Sequence, residues 1–335
     1  MNAIFLIGCA FQSLIRKVQN LQLELVTKET SPKISICIPA YKQADKLGKL
    51  LKSIEIQTIR PFEIVVSDDS DDDVVEQLCR NSEFPIRYFR NNPALGSPEN
   101  WNFAIQHAKG DWIKLMHHDD YFTHERALEN FCDVLNVHPE VDYFFCGTTI
   151  QQESDGSSHI YYVDEELLKN LSRIPAFLTQ KNLIGAPSTG FFKRNVEIKY
   201  DRNLIWLVDI DYYIRLISHY KLGYLNDSAI TTVMFEGQLT TRLKDNKQVE
   251  LSEFIYCYLK HINGFDPLNK KIIRQRMLDL VRIFEVKKLS ELKFPLNENK
   301  VPVYLKLFLF FCRINRRIAF STFYRINSFS LKKQW

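Results

Sequence analysis

From residue 33 onward, short apolar runs alternate with stretches whose apolar positions recur every three to four residues. Lys33–Ile38 predicts a buried strand that Pro39 ends. Ala44 to Gln57 places Leu47, Leu50, Leu51 and Ile54 at helical spacing. A second strand over Phe62–Ser67 runs into Asp68-Asp69-Ser70-Asp71-Asp72-Asp73 and a short helix through Leu78. Ile86–Phe89 predicts a third strand. The breakers in Asn91-Asn92-Pro93-Ala94-Leu95-Gly96-Ser97-Pro98 predict a loop. Pro98 suits the first turn of a helix reaching about Ala108, which Gly110 closes. Ile113, Leu115 and Met116 then predict a buried strand. Strands separated by helices of this length imply an α/β fold with a mainly parallel sheet in three layers.

Farther on, Tyr143–Ile150 predicts a strand and Leu167–Gln180 a helix. Ser188–Lys193 predicts another strand and Leu207 to Tyr220 a helix. Gly223 is expected to break the chain before a strand near Ile230–Phe235. After Gly237 the chain turns helical and basic. Three segments follow: a helical extension over 1–31, a main domain over 32–240 divided near residue 122, and a helical basic extension over 241–335.

The fourth strand ends in His117-His118-Asp119-Asp120. In open α/β sheets ligands bind at the carboxyl edge of the strands. Adjacent carboxylates there are costly unless a cation or a donor neutralises them. Hard oxygen ligands favour Mg²⁺ or Mn²⁺, ions that commonly carry phosphates. The alternative is that Asp120 only caps a helix starting near Thr123.

Ile-Cys-Ile-Pro-Ala-Tyr-Lys, Glu-Ile-Val-Val-Ser-Asp-Asp-Ser and Gly-Asp-Trp-Ile-Lys-Leu-Met-His-His-Asp-Asp, in this order, resemble the nucleotide half of the inverting family 2 glycosyltransferases. The resemblance covers roughly residues 33–240 and implies a Rossmann-like GT-A fold with a nucleotide-sugar donor, UDP-sugars being favoured. It implies Asp119 as metal ligand and Asp69, with Asp68 beside it, as acceptor for the nucleobase. It puts Pro39 and Tyr41 in the base pocket and the Asn92–Asn100 segment, with Gly96 allowing close approach, against nucleotide or sugar. His117 and His118 stand where many relatives have acids. Either histidine would donate to ribose or diphosphate, or ligate the metal, with His118 placed among the nucleotide-sugar contacts.

Trp206-Leu207-Val208-Asp209-Ile210-Asp211-Tyr212-Tyr213-Ile214-Arg215 resembles the family's acidic helix-start motif. By its spacing to Arg215, Asp209 matches the catalytic aspartate, with Asp211 as runner-up. Val208 replaces the usual preceding glutamate. Trp206 would stack on the acceptor sugar or sit in the core. Pro187-Ser188-Thr189-Gly190-Phe191-Phe192 resembles the segment lining the acceptor site. Glu236-Gly237-Gln238-Leu239-Thr240 resembles the loop closing over the donor diphosphate.

Charge adds a location. The net charge is +4, but residues from 268 onward carry 16 basic and 4 acidic side chains. Val301 to Trp335 has no acid and interleaves cations with Phe308, Phe310, Phe311, Phe320 and Phe323. That pattern suits an anionic membrane surface or a buried hairpin with a basic outer face. The acidic body argues against nucleic acid. No uninterrupted apolar run reaches the length of a membrane span. The seven scattered cysteines form no CxxC pair and fit buried thiols in a reducing cytoplasm.

The resemblance thus implies a cytoplasmic enzyme on the inner face of the cell membrane. It would add a sugar to a lipid-linked saccharide in surface-polysaccharide assembly, such as O-antigen or capsule. His117, His118 and Val208 also suit a non-catalytic relative acting as a membrane-docked assembly partner. A metal phosphohydrolase is disfavoured because no second histidine cluster exists.

Overall fold

The computed structural model describes residues 32–238, Leu243, 246–292 and 301–327. The extension expected over 1–31, Leu239 and Thr240, and the chain from 328 onward lie outside these residues.

Strand and helix alternate as the periodicity predicts: β1 (Ile34–Ala40), α1 (Ala44–Glu55), β2 (Glu63–Asp68), α2 (Val74–Arg80), β3 (Ile86–Arg90), α3 (Glu99–Gln106) and β4 (Trp112–Leu115). There follow β5 (Tyr121–Phe122), α4 (Ala127–Val137), β6 (Tyr143–Gln152), β7 (Ser158–Tyr161), α5 (Glu165–Arg173), β8 (Gly190–Lys193), α6 (Val208–His219) and β9 (Leu222–Met234). The chain continues in α7 (Lys247–His261), α8 (Pro267–Ile283), α9 (Val303–Ile314) and α10 (Arg316–Asn327).

The nine strands among the described residues join one sheet in the order β3-β2-β1-β4-β8-β6-β9-β5, with β7 paired to β6. The first four are mutually parallel. Antiparallel pairing enters where β8 joins β4, so the sheet is mixed beyond its four parallel strands. Along β1 the side chains alternate between faces. Ile36 and Ile38 pack with Leu47, Leu50, Leu51 and Ile54 of α1, while Cys37 joins Ala104 of α3 on the other face. The result is three layers with two apolar cores.

Several expectations are corrected. The strand does not stop at Pro39 but runs on to Ala40, whose carbonyl takes hydrogen bonds from the Asp69 amide and the Asn100 side chain. Gly223 does not break the chain. It lies inside β9, where a Cβ would overlap the Phe144 ring, so close strand packing rather than a turn requires glycine. Pro175 ends α5 early, and a 3₁₀ turn over Pro175–Thr179 follows. A second 3₁₀ turn, Pro187–Thr189, replaces the first half of the strand expected at Ser188. Asp120 caps no helix, because β5 intervenes before α4.

The change of character near residue 240 marks composition rather than a break in the core. Leu251, Phe254, Ile255 and Tyr258 of α7 and Ile272, Ile273 and Met277 of α8 are buried with Tyr212, Ile214 and Leu216 of α6.

Candidate active site

The parallel strands deliver their carboxyl ends side by side, and backbone bonds lace these ends together. The Asp69 amide bonds Ala40, the Asn91 amide bonds Asp68 and the Met116 amide bonds Cys37. Beyond Ala40 the backbone enters the left-handed region at two consecutive non-glycine residues, Lys42 (φ 55°) and Gln43 (φ 51°). That is an uncommon and strained conformation. The turn leaves Tyr41 52% exposed at the sheet edge. Pro39 is buried, and its carbonyl faces His118 Nδ1 at 3.2 Å.

Asp68 and Asp69 are both buried, with different partners. Asp68 takes bonds from Tyr88 Oη (2.7 Å), the Ser70 amide (2.9 Å) and Ser70 Oγ (2.6 Å). Asp69 takes bonds from Asn91 Nδ2 (2.9 Å), the Leu95 amide (3.0 Å) and the Gly96 amide (2.8 Å). It therefore folds the 91–96 loop against the sheet edge. A carboxylate has about four lone-pair sites, so Asp69 keeps one for a ligand. Gly96 (φ +75°) supplies the left-handed turn that aims its amide there.

Within that loop one expected ligand contact, Asn100, is corrected. Asn100 is buried and spent internally, its side chain bonding Ala40 and Asn91, because it seals the joint between α3 and β1. Asn92 faces solvent, whereas its neighbour Asn91 ties Ser67, Asp69 and Asn100 together. Asn91 is a shaping residue that sequence reasoning did not single out.

The turn after β4 gathers His117, Asp119 and Asp120, each with one ligand atom within 4.8 Å of the others. Burial drives the His117 imidazole down to about 4 and so keeps it neutral, as a ligand must be. Its Nε2 is buried and has no hydrogen-bond partner. Burial, and then the neighbouring Asp119, push the Asp120 carboxyl well above its ordinary range. An unpartnered imidazole nitrogen beside two mutually repelling carboxyl groups fits a divalent cation. Sequence reasoning assigned Asp119 as ligand and left a histidine as a candidate second one. In the structure His117 joins it, while His118 turns its Nδ1 toward Pro39 and buries an unpartnered Nε2. Gln238 Nε2, from the loop after β9, donates to Asp119 Oδ2 at 2.9 Å.

Beneath the cluster lies Lys114, fully buried in β4. It donates to the carbonyls of Ser188 and Gly190, and burial lowers it to about 8. The same turn offers Ser188 Oγ to the His117 amide at 2.9 Å. Six residues earlier Asn182 Nδ2 donates to Asp209 Oδ2 at 3.0 Å. The 182–190 segment thus ties the cation cluster to the start of α6. Neither Asn182 nor Lys114 carried a sequence signal, since only the fold brings them to these partners.

Asp209 and Asp211 part company at this point. Asp209 takes the Ile210 amide at 2.8 Å and Asn182, and burial raises its carboxyl to about 6. Asp211 is fully buried and bonded to Arg215 (2.7 Å), Lys260 (2.9 Å) and His261 (2.7 Å). Despite its burial these partners hold it down to about 2. A carboxylate locked among three cationic or donor groups has no free lone pair for a substrate proton. The runner-up assignment is therefore corrected: Asp211 pins α6 to α7. Trp206 is half-buried against the core. Its ring meets no aromatic partner among the described residues, and its amide donates to Glu253 (2.9 Å).

The model for glycosyl transferase family 2 matches residues 35–200. The structure of Staphylococcus aureus TarS residues 1–349 in complex with UDP-GlcNAc aligns over 77% of each chain with a TM-score of 0.58 at 18% identity. The mannosyltransferase PcManGT from Pyrobaculum calidifontis, in complex with GDP-Man and Mn²⁺, aligns over 76% of this chain and 75% of its own with a TM-score of 0.52 at 16% identity. An uncharacterised glycosyltransferase of Haemophilus influenzae is 28% identical over 129 residues, 38% of this chain and 42% of its own. The GalNAc(5)-diNAcBac-PP-undecaprenol beta-1,3-glucosyltransferase of Campylobacter jejuni is 32% identical over 93 residues, 27% of this chain and 30% of its own. The chain thus spans well under two thirds of these two relatives. Residues 35–200 thus match the family 2 glycosyl transferase model, and the fold is that of these GT-A glycosyltransferase structures.

Proposed function

We propose that this protein moves a sugar from a nucleotide-diphosphate donor to a saccharide acceptor by an inverting, metal-assisted displacement. One observation carries the reading: a cation-ready cluster and a separate, isolated carboxyl stand at the two ends of one bonded segment, 182–190. His117, Asp119 and Asp120 would hold Mg²⁺ or Mn²⁺, which supplies Lewis-acid stabilisation to the departing diphosphate. Imidazole in the set favours Mn²⁺. Asp69, with its remaining lone pair, and Tyr41 would receive the base.

Asp209 would accept the proton of the attacking hydroxyl. A carboxyl raised to about 6 is a stronger base than an ordinary aspartate, yet largely ionised at neutral pH. Trp206, three residues earlier, would face the acceptor sugar. Uridine is the favoured base on family grounds, and TarS holds a UDP-sugar.

A lipid-linked acceptor is supported by the name of the Campylobacter relative and by the tail. Exposed Val303, Leu307, Phe310, Phe311 and Ile314 lie along α9 at mostly three- to four-residue spacing, and Ile318 of α10 is exposed as well. Arg313 and Arg317 are exposed beside it. No described helix is long and apolar enough to cross a membrane. Such a face suits docking on the inner leaflet from the cytoplasm, where anionic lipids attract cations.

The test is nucleotide release from UDP-GlcNAc, UDP-Glc, UDP-Gal and GDP-Man with Mn²⁺, with and without polyprenyl-diphosphate-linked saccharides. Asp119→Ala should abolish turnover. Asp209→Asn should lower transfer by about 10²–10⁴-fold. Wild-type rates in Asp209→Asn would remove the base from this scheme. Silence across the whole panel would favour the non-catalytic assembly partner.

A further inference from the structure

The start of α6 is held from outside its own sequence neighbourhood. Leu207 stands at the N-cap and has no side chain able to cap. In its place the Glu253 carboxylate, 46 residues downstream on α7, takes the Leu207 amide at 2.8 Å. It also takes the Trp206 amide at 2.9 Å and the Ile205 amide at 2.8 Å. Glu253 is itself 5% exposed. Three consecutive amides on one buried carboxylate form a rigid joint, and a negative charge complements a helix N-terminus. The residues on that joint are Trp206, proposed to face the acceptor, and Asp209, proposed as the base.

We infer that Glu253 is a positioning residue, fixing the first turn of α6 so that Asp209 and Trp206 keep their places relative to each other and to the acceptor. The inference rests on the reading of Asp209 as base. It assigns to α7, beyond the segment the family model matches, a part in the catalytic half. Asn182 restrains the Asp209 side chain and Glu253 restrains the backbone that carries it. The Glu253 charge also faces Asp209 and adds to the rise that burial causes there. The other titratable groups facing Asp209 are the buried phenols Tyr143 on β6, Tyr200 before α6 and Tyr213 on α6. Asp201 faces Glu253. None of the four carries a positive charge that would mask the effect.

The test compares Glu253→Gln and Glu253→Asp with the parent chain. Carboxyl-carbon NMR of protein labelled at aspartate follows Asp209, its signal assigned by its loss in Asp209→Asn. Glu253→Gln removes the charge, so Asp209 should titrate about 0.5 pH unit or more lower. Glu253→Asp keeps the charge but not the reach. Asp209 should then titrate as in the parent, while amide exchange over 205–210 speeds up about tenfold or more relative to global unfolding. With any donor turned over in the panel above, both variants should lose about tenfold in kcat with little change in donor KM. Unchanged titration and unchanged exchange over 205–210 in both variants would overturn the inference. Should Glu253→Gln not fold, the exchange measurement on Glu253→Asp decides alone. Full activity in Asp209→Asn, with the Glu253 effects on titration and exchange intact, would instead sink the base assignment and leave the joint standing.

Discussion

Asp209 and Asp211 sit two positions apart at the start of one helix and meet opposite surroundings. Around Asp209 amides, phenols and the Glu253 carboxylate approach but no cation does, so burial dominates and the carboxyl rises to about 6. Around Asp211 three cationic or donor groups converge and hold it down to about 2. The first difference predicts a pH profile. If ionised Asp209 is the base, kcat/KM should climb as pH rises through about 6 and level off above, where an ordinary aspartate would level off near 4. A limb near 4 would assign the base elsewhere. The second difference predicts stability. Asp211→Ala leaves Arg215, Lys260 and His261 without their shared, fully buried carboxylate and should cost about 3–5 kcal/mol in chemical denaturation. Because folding lowers its pKa, the stability Asp211 contributes is fully present above pH 4 and is lost as pH falls toward 2. A loss below 1 kcal/mol would show that the site relaxes around the missing carboxylate.

At the scale of elements, the parallel strands and their helices were readable because period-2 and period-3.6 patterns survive any packing context. Ile36 against Cys37, and Leu47 with Leu50 and Leu51, show this directly. What misled was punctuation. Gly223 and Pro39 read as breakers, yet one admits the Phe144 ring and the other continues β1. Gly190 makes the same point testably. A Cβ there would overlap the Tyr143 side chain, and Gly190 opens β8 directly after the turn that bonds Lys114 and His117. Gly190→Ala should cost about 1–3 kcal/mol by overpacking. Differential scanning calorimetry would check this, and an unchanged midpoint would mean that Tyr143 has room to turn.

At the scale of the molecule, the carboxyl edges of the parallel strands, the 182–190 segment and α7 close on one region. The helices after residue 246 belong to the same core as α6, so the basic end of the protein is built onto the half that carries Asp209. The apolar stripe on α9 and the cations beside it predict a measurable affinity. The chain should sediment with phosphatidylcholine vesicles containing phosphatidylglycerol and much less with phosphatidylcholine alone. Phe310→Ser with Phe311→Ser should release it without lowering thermal stability, because both side chains are exposed. Equal sedimentation of this variant would move the docking face elsewhere.

The sequence by itself determined the α/β alternation, the acidic strand ends at Asp69 and Asp119, the acids opening α6 and the basic character of the final helices. Each is a property of neighbours along the chain, so local periodicity and local charge suffice. Only the tertiary structure decided that Asp209 is isolated and Asp211 locked, that His117 rather than His118 joins Asp119 and Asp120, and that Asn91, Asn182, Lys114 and Glu253 shape the site. Those outcomes depend on desolvation and on partners many tens of residues distant, such as Lys260 and His261 against Asp211. Burial and long-range pairing set the energy of a charge, and neither is written in the residues beside it.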